Sequence, residues 1–223
     1  MNFLKSSLVA AAICAAPVTA SATILDFTTL STFDSISSSG ASGSGLGYTF
    51  TLTTNPADQL TFAESVTGPT CAMLACEFDG LGVTDDEITT NGITQSITIT
   101  FDREVVLTGL FFLDLFISPD QSSIEEAELS IDGGATINPG LVALEVFDNG
   151  ATTSGFAYYS GLSYSGTSFT FTSSNTNDNI GFADYALAGI QVAAVPLPAG
   201  MLLLGGALGA LGFARRRKAV ATA

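Results

Sequence analysis

Residues 93–101 change side-chain character at every step, and that period of two limits what the chain can fold into more than any other stretch. In an extended strand successive side chains point to opposite faces. Ile93, Gln95, Ile97, Ile99 and Phe101 therefore share one face, and Thr94, Ser96, Thr98 and Thr100 the other. The first face is apolar at all but Gln95 and is expected to meet a core, while the hydroxyl face meets water. The following stretch, residues 105–116, is apolar almost throughout and rich in β-branched and aromatic residues. It reads as a strand buried on both faces, or bent at Gly109. With Asp102, Arg103 and Glu104 as the link, the two stretches are expected to form a hairpin.

Long helical periods are missing from the middle of the chain. Further short β-type runs fall at residues 46–53, 59–62, 127–131, 141–147, 154–159, 168–172 and 186–192, with turn signals at Asp132, Gly133 and Gly134 and at Asn149 and Gly150. Evenly spaced strands without intervening helices predict an all-β fold, an antiparallel β-sandwich of jelly-roll-like type. The Ser/Gly stretch at residues 35–47 is expected to be a flexible loop or short stalk.

Charge narrows the function classes. Lys5, Arg103, Arg215, Arg216, Arg217 and Lys218 are the six basic residues, so Arg103 stands alone in the body against all 21 acidic residues, a net charge of −20 there. Such a surface repels nucleic acid and anionic lipid. Histidine is absent, which removes Ser-His-Asp and Cys-His catalysis and the usual zinc sites. No phosphate-binding Gly-rich loop with its lysine is present. The expectation is a protein without enzymatic activity, a carboxylate-based glycoside hydrolase being the distant alternative.

The two ends read as addresses. At the N-terminus Lys5, an apolar run at residues 8–16 and the small residues Ala20 and Ala22 around Ser21 form a signal peptide over residues 1–22. Cleavage after Ala22 is the first choice and after Ala20 the second. The ectodomain is then expected at residues 23–193. From residue 186 to residue 214 no side chain is charged. As a helix, residues 197–214 reach about 27 Å, close to the roughly 30 Å of a hydrocarbon core. Arg215, Arg216, Arg217 and Lys218 follow as a stop-transfer signal that keeps the C-terminus cytoplasmic. Residues 219–223 form a short tail.

Val195, Pro196, Leu197, Pro198 and Ala199, then the Gly/Leu-rich span, then the basic cluster, resemble the PEP-CTERM class of sorting signals in its VPLPA variant. The resemblance covers residues 194–218. It implies a Gram-negative envelope protein, handled by signal peptidase and the general secretion machinery and then by an exosortase. Processing near residues 195–199 would convert an inner-membrane-anchored precursor into a protein of the cell surface or extracellular matrix. Association with exopolysaccharide or biofilm is implied in the same way. A carbohydrate-binding module, calcium-dependent or not, is the alternative function.

Three candidate features remain in the body. Cys71 and Cys76 are expected to close a small disulfide loop in an exported chain, against the alternative of a metal or redox pair. Asp79, Asp85, Asp86 and Glu87, spaced by glycines, are a candidate Ca²⁺ site, the alternative being ordinary solvated carboxylates. Glu125, Glu126 and Glu128 are a weaker candidate of the same kind, and otherwise read as a solvated edge. Tyr158, Tyr159 and Tyr164 are a candidate sugar-stacking face, or else half-buried sheet positions.

Overall fold

In a computed structural model of the protein, the described residues are 21–45, 47–62, 71–85, 87–90, 93–147, 154–174 and 184–195, with Ala207 and Gly209. The strands are β1 (Ala22–Asp26), β2 (Ser35–Ser37), β3 (Gly40–Gly45), β4 (Tyr48–Asn55), β5 (Leu60–Thr61), β6 (Gly82–Val83) and β7 (Ser96–Leu113). They continue as β8 (Phe116–Ile117), β9 (Glu126–Ile131), β10 (Ile137–Val142), β11 (Glu145–Val146), β12 (Ala157–Ser173) and β13 (Ala186–Ala194). All lie in the compact unit Ser21–Val195.

Among the described residues, nine strands share one antiparallel sheet, in the order β10-β9-β12-β7-β4-β3-β2, with β13 also on β7 and β1 on β13. Two long strands make a sandwich-like fold of this single sheet. The first part of β7 pairs with β4 and with the last part of β12, while its second part pairs with β13 and with the first part of β12. The 18-residue β7 thus serves two sets of neighbours. The fold is all-β and mostly antiparallel, the parallel β8–β11 pair being the exception.

The expected hairpin at Asp102, Arg103 and Glu104 does not exist. These three residues are exposed and sit inside one continuous strand. No glycine, asparagine or proline stands there to reverse the chain. Asp102 instead accepts a bond from the Thr49 N–H of β4 (3.1 Å) and pairs with Arg103 (3.3 Å). Of the stretches 154–159 and 168–172, expected as two strands, residues 157–159 and 168–172 are parts of the single 17-residue β12, and residues 154–156 precede it.

Residues 35–47 are not a loop either: β2 and β3 form a hairpin there, and β3 pairs with β4 from Ala41↔Leu52 to Gly45↔Tyr48. Small residues are needed for close packing. A Cβ on Gly43 would sit 2.4 Å from the Phe50 ring and 2.5 Å from the Thr32 carbonyl. Ile93, expected to face the core, is 61 % exposed, because the strand starts at Ser96.

The main core lies between the layers. Ile97, Ile99, Phe101, Val105 and Leu107 of β7 enter it, then Leu110 and Phe112, so the inward residues change from odd to even numbers across Gly109. The pairings with β12 and β13 both shift register beside Gly109, as an inserted residue requires. Gly109 is tight as well as irregular: a Cβ there would lie 2.9 Å from Gln191 Oε1.

The other side of this part of β7 is also buried. Phe111 and Leu113 pack with Ala186, Ala188 and Cys71 in a second apolar cluster, flanked by Ile24, Leu74, Phe156 and Tyr158. Cys71 and Cys76 are joined by a disulfide with Cα atoms 6.1 Å apart, and their loop covers this cluster. Asp26 and Thr28 hold the loop down. The Ala75 N–H donates to Asp26 Oδ2 (2.6 Å), the Cys76 N–H to Thr28 Oγ1 (2.8 Å), and the N–H groups of Glu77 and Phe78 to the Thr28 carbonyl.

Candidate functional site

The inward face of β9 continues one residue before the strand begins. Glu125 falls in phase with Ala127 and Leu129, and like them it is buried, only 2 % exposed. It is not part of a solvated edge. Its backbone is held by two bonds, the Glu125 N–H donating to the Phe116 carbonyl (3.1 Å) and the Ala143 N–H to the Glu125 carbonyl (2.8 Å), and its side chain by a third, from the Phe116 N–H to Glu125 Oε2.

Two further carboxyl groups are brought to it by backbone pairing elsewhere. The Ile88 N–H donates to the Tyr185 carbonyl (2.8 Å) and the Val83 N–H to the Glu87 carbonyl (2.8 Å), so Glu87 lies alongside the segment entering β13. Asp184, the last residue but one before β13, and Glu87 both add their charge to the surroundings of the Glu125 carboxyl. Tyr185 beside them is fully buried, and its hydroxyl donates to the Thr172 carbonyl (2.9 Å).

Burial pushes the Glu125 carboxyl up to about 10, with Asp184 and Glu87 adding to the shift and the Phe116 N–H opposing it. At neutral pH Glu125 is a carboxylic acid that can donate as well as accept. Its neighbourhood contrasts with two surface turns. Asp132 accepts from the Thr167 hydroxyl (2.8 Å) and from the N–H groups of Thr167 (2.9 Å) and Ser168 (2.8 Å), which hold its carboxyl below the usual range. Asp120 is lowered in the same way by the Ser118 and Ser122 hydroxyls.

Of the expected calcium ligands, Asp79 is buried, Asp85 is exposed, Glu87 is half-buried, and Asp86 lies outside the described residues. Among the described residues no group of three or more His, Cys, Asp or Glu side chains could hold a metal ion. The three tyrosines do not form one face. Tyr158 stacks on Phe111 over the second cluster (4.4 Å, 12°), whereas Tyr159 packs against the main core and donates its hydroxyl to the Val142 carbonyl. Tyr164 also packs against the main core.

At the chain ends, Ala22 opens β1 and Val195, exposed, follows the last residue of β13. Ala20, Pro196, Leu197, Pro198, Ala199, Arg215, Arg216, Arg217 and Lys218 lie outside the described residues, as does the expected helix at residues 197–214 apart from helical Ala207 and Gly209. Among the described residues no helix is long and apolar enough to cross a membrane.

Asp184 is the residue that sequence reasoning missed, and nothing in its neighbourhood of the sequence marks it. Glu125 could have been found, since the period of two from Glu125 to Leu129 places it inward.

No family model matches the chain, and no curated protein matches it. Among solved structures it is similar to CpGH89CBM32-5 from Clostridium perfringens, in complex with GalNAc-β-1,3-galactose, at 12 % identity and a TM-score of 0.29 over 66 % of this chain and 95 % of that one. It is also similar to the C-terminal domain of a chitobiase from Bacteroides fragilis, at 12 % identity and a TM-score of 0.28 over 63 % of this chain and 96 % of that one. At these scores neither likeness carries a ligand to this chain.

Proposed function

We propose that this chain is an exported, non-enzymatic β-sandwich protein of the cell envelope or extracellular matrix, sorted and cut through its C-terminal tail by an exosortase. The observation that carries the reading is the order of the tail itself: Val195, Pro196, Leu197, Pro198 and Ala199, then an uncharged membrane-length span, then four basic residues. Where the sheet ends supports it. β13 stops at Ala194 and Val195 is exposed, so the motif starts where the ladder of hydrogen bonds stops. A processing enzyme that needs an extended substrate would not have to unravel the sheet. The absence of histidine and the pairing of Arg103 with Asp102 support a non-catalytic role. The crossing that puts β12 between β9 and β7 supports a jelly-roll-like reading of the sandwich.

Intact-mass measurement of protein released from the cell surface tests the sorting step. The expected mass lacks everything after a cut within residues 195–199, whereas a surface-released form that retains Arg215, Arg216, Arg217 and Lys218 would overturn it.

A glycan-binding module is the second reading. Ile124, Leu144 and Val146 are exposed around the β8–β11 pair, and the hydroxyl-rich turn at Asp120 joins Ile117 to Ile124, which gives an apolar surface with polar groups beside it. Glycan-array binding that is lost in Leu144→Ser is the expected result, and an empty array removes this reading.

A further inference from the structure

An aspartate followed directly by glycine occurs twice in the chain, at Asp79 and Gly80 and at Asp132 and Gly133. In such a pair no side chain stands between the aspartate carboxyl carbon and the next backbone nitrogen, so the two can join. The two copies have opposite surroundings. Asp79 is buried, and a Cβ on Gly80 would lie 2.7 Å from the Leu187 carbonyl oxygen, so backbone walls this copy in. Asp132 and Gly133 are exposed at the centre of a turn, with φ of 50° and 69°, closed by the Gly134 N–H donating to the Ile131 carbonyl (2.9 Å). A Cβ on Gly133 would meet nothing within 4 Å.

The exposed copy is tied to β12 instead. Asp132 Oδ1 accepts from the Thr167 hydroxyl (2.8 Å) and from the N–H groups of Thr167 (2.9 Å) and Ser168 (2.8 Å). Oδ2 lies 3.2 Å from where a Cβ on Gly166 would stand, so both oxygens face residues 166–168. The Asp132 N–H donates to the Ser168 carbonyl (2.9 Å), which fixes the base of the side chain. To reach the Gly133 nitrogen, the carboxyl must rotate about its own side-chain bonds and give up all three donors.

We propose that Asp132 and Gly133 form a self-modification site that converts to isoaspartate, and that Thr167 and Ser168 are the clamp that holds this conversion off in the folded protein. The Gly133 nitrogen bonds to Asp132 Cγ and one Cγ–O bond breaks. That oxygen leaves as water, with the amide proton and a proton from solvent. Water then opens the cyclic imide. Addition at Cγ restores aspartate, whereas addition at the main-chain carbonyl leaves the chain running through Cγ. The product carries an extra backbone atom in the turn, and its carboxylate, now attached to Cα, no longer meets Thr167 and Ser168. The turn after β9 is then released from β12.

The experiment ages the full chain in detergent at neutral pH, folded and in urea, as wild type and as Thr167→Val, which removes the hydroxyl donor and keeps both N–H groups. Cleavage after glutamate isolates residues 129–145 with Asp132 and residues 78–87 with Asp79. Isoaspartate is read in each peptide as a second chromatographic peak of unchanged mass that resists a peptidase cutting before aspartate. Folded wild type is expected to form it slowly at Asp132, and folded Thr167→Val about tenfold faster, the effect of losing one bond to a charged acceptor. Residues 78–87 are expected to stay unmodified in both folded proteins, and in urea the two proteins should age alike. Equal folded rates, or a wild type that ages no faster in urea, would overturn the clamp. An Asp132 that stays unmodified even in urea would overturn the site. A parallel rise in both peptides of folded Thr167→Val would mean general unfolding and would overturn the proposal as well. Should Thr167→Val fail to fold, the wild type compared with and without urea decides alone.

Discussion

The two halves of β7 have similar β-forming composition but different surroundings. Before the bend, Ile97, Ile99 and Phe101 enter the core while Ser96, Thr98 and Thr100 face outward, the Thr98 hydroxyl meeting that of Thr170 at 2.9 Å. After Gly109, Leu110 to Leu113 are all buried, two toward the main core and two beneath the Cys71–Cys76 loop. The first half is one face of a sandwich open to water. The second is the middle layer of three, and its outer cover is a loop held by one disulfide, one carboxylate and one threonine. An apolar run without alternation thus reports a covering segment from elsewhere in the chain, which here arrives from residues 71–78.

Truncating adjacent rings of β7 separates the two kinds of burial most sharply. Phe112→Ala, in the main core against Tyr159 and Tyr185, is expected to cost about 4 kcal/mol in urea unfolding. Phe111→Ala is expected to cost less, roughly 3 kcal/mol, because the loop above it can settle into the space. Equal losses would mean that the loop is as rigid as a sheet. The double change Cys71→Ser with Cys76→Ser comes next, at roughly 2 kcal/mol for so short a closed loop. Hydrogen exchange should then quicken at residues 74–78 and at β1 while β4 keeps its protection.

Asp132→Ala, at a surface turn serving the first half of the sheet, is expected to cost about 1 kcal/mol through its lost hydrogen bonds. Its shift is opposite to that of Glu125. The Asp132 carboxyl lies below its ordinary 3.8 in the folded protein, so its contribution is complete above that value and is lost as acid carries the pH down through the lowered one. Melting curves at pH 2–5 for wild type and Asp132→Ala should therefore converge toward the acid end. Thr98→Val on the open face is the smallest, within about 0.5 kcal/mol either way.

Legibility followed the same division. The alternation of residues 97–101 exposed the open half of β7 directly, and the run that follows it indicated burial on both faces. What covered it could not be read, because the contact between residues 71–78 and Asp26 and Thr28 is made by backbone N–H groups, which every sequence has. The β2–β3 hairpin was hidden for a related reason. Its serines and glycines carry no hydrophobic period, and the need for small residues at Gly43 is set by Phe50 on the next strand. In the acidic group, Glu125 had its place in the β9 alternation, while Asp184 and Glu87 reached it through pairings between distant segments. The expected hairpin at Asp102 failed because an exposed charged triplet inside a long strand looks, in sequence, like a reversal.

The pairing of β1 with β13 has a consequence in time. Ala22 meets Ala193 and Asp26 meets Gly189, so the first strand of the fold has its only sheet partner in the last one among the described residues. Closing contacts between such distant parts of a chain slows folding, because loop entropy is lost before the contact rewards it. Asp26 also anchors the disulfide loop, so that loop, too, waits for the far end of the chain. A chain delivered through a membrane from its N-terminus would therefore hold this edge open until β13 had crossed. The late strand that completes the sheet is the one that runs directly into Val195.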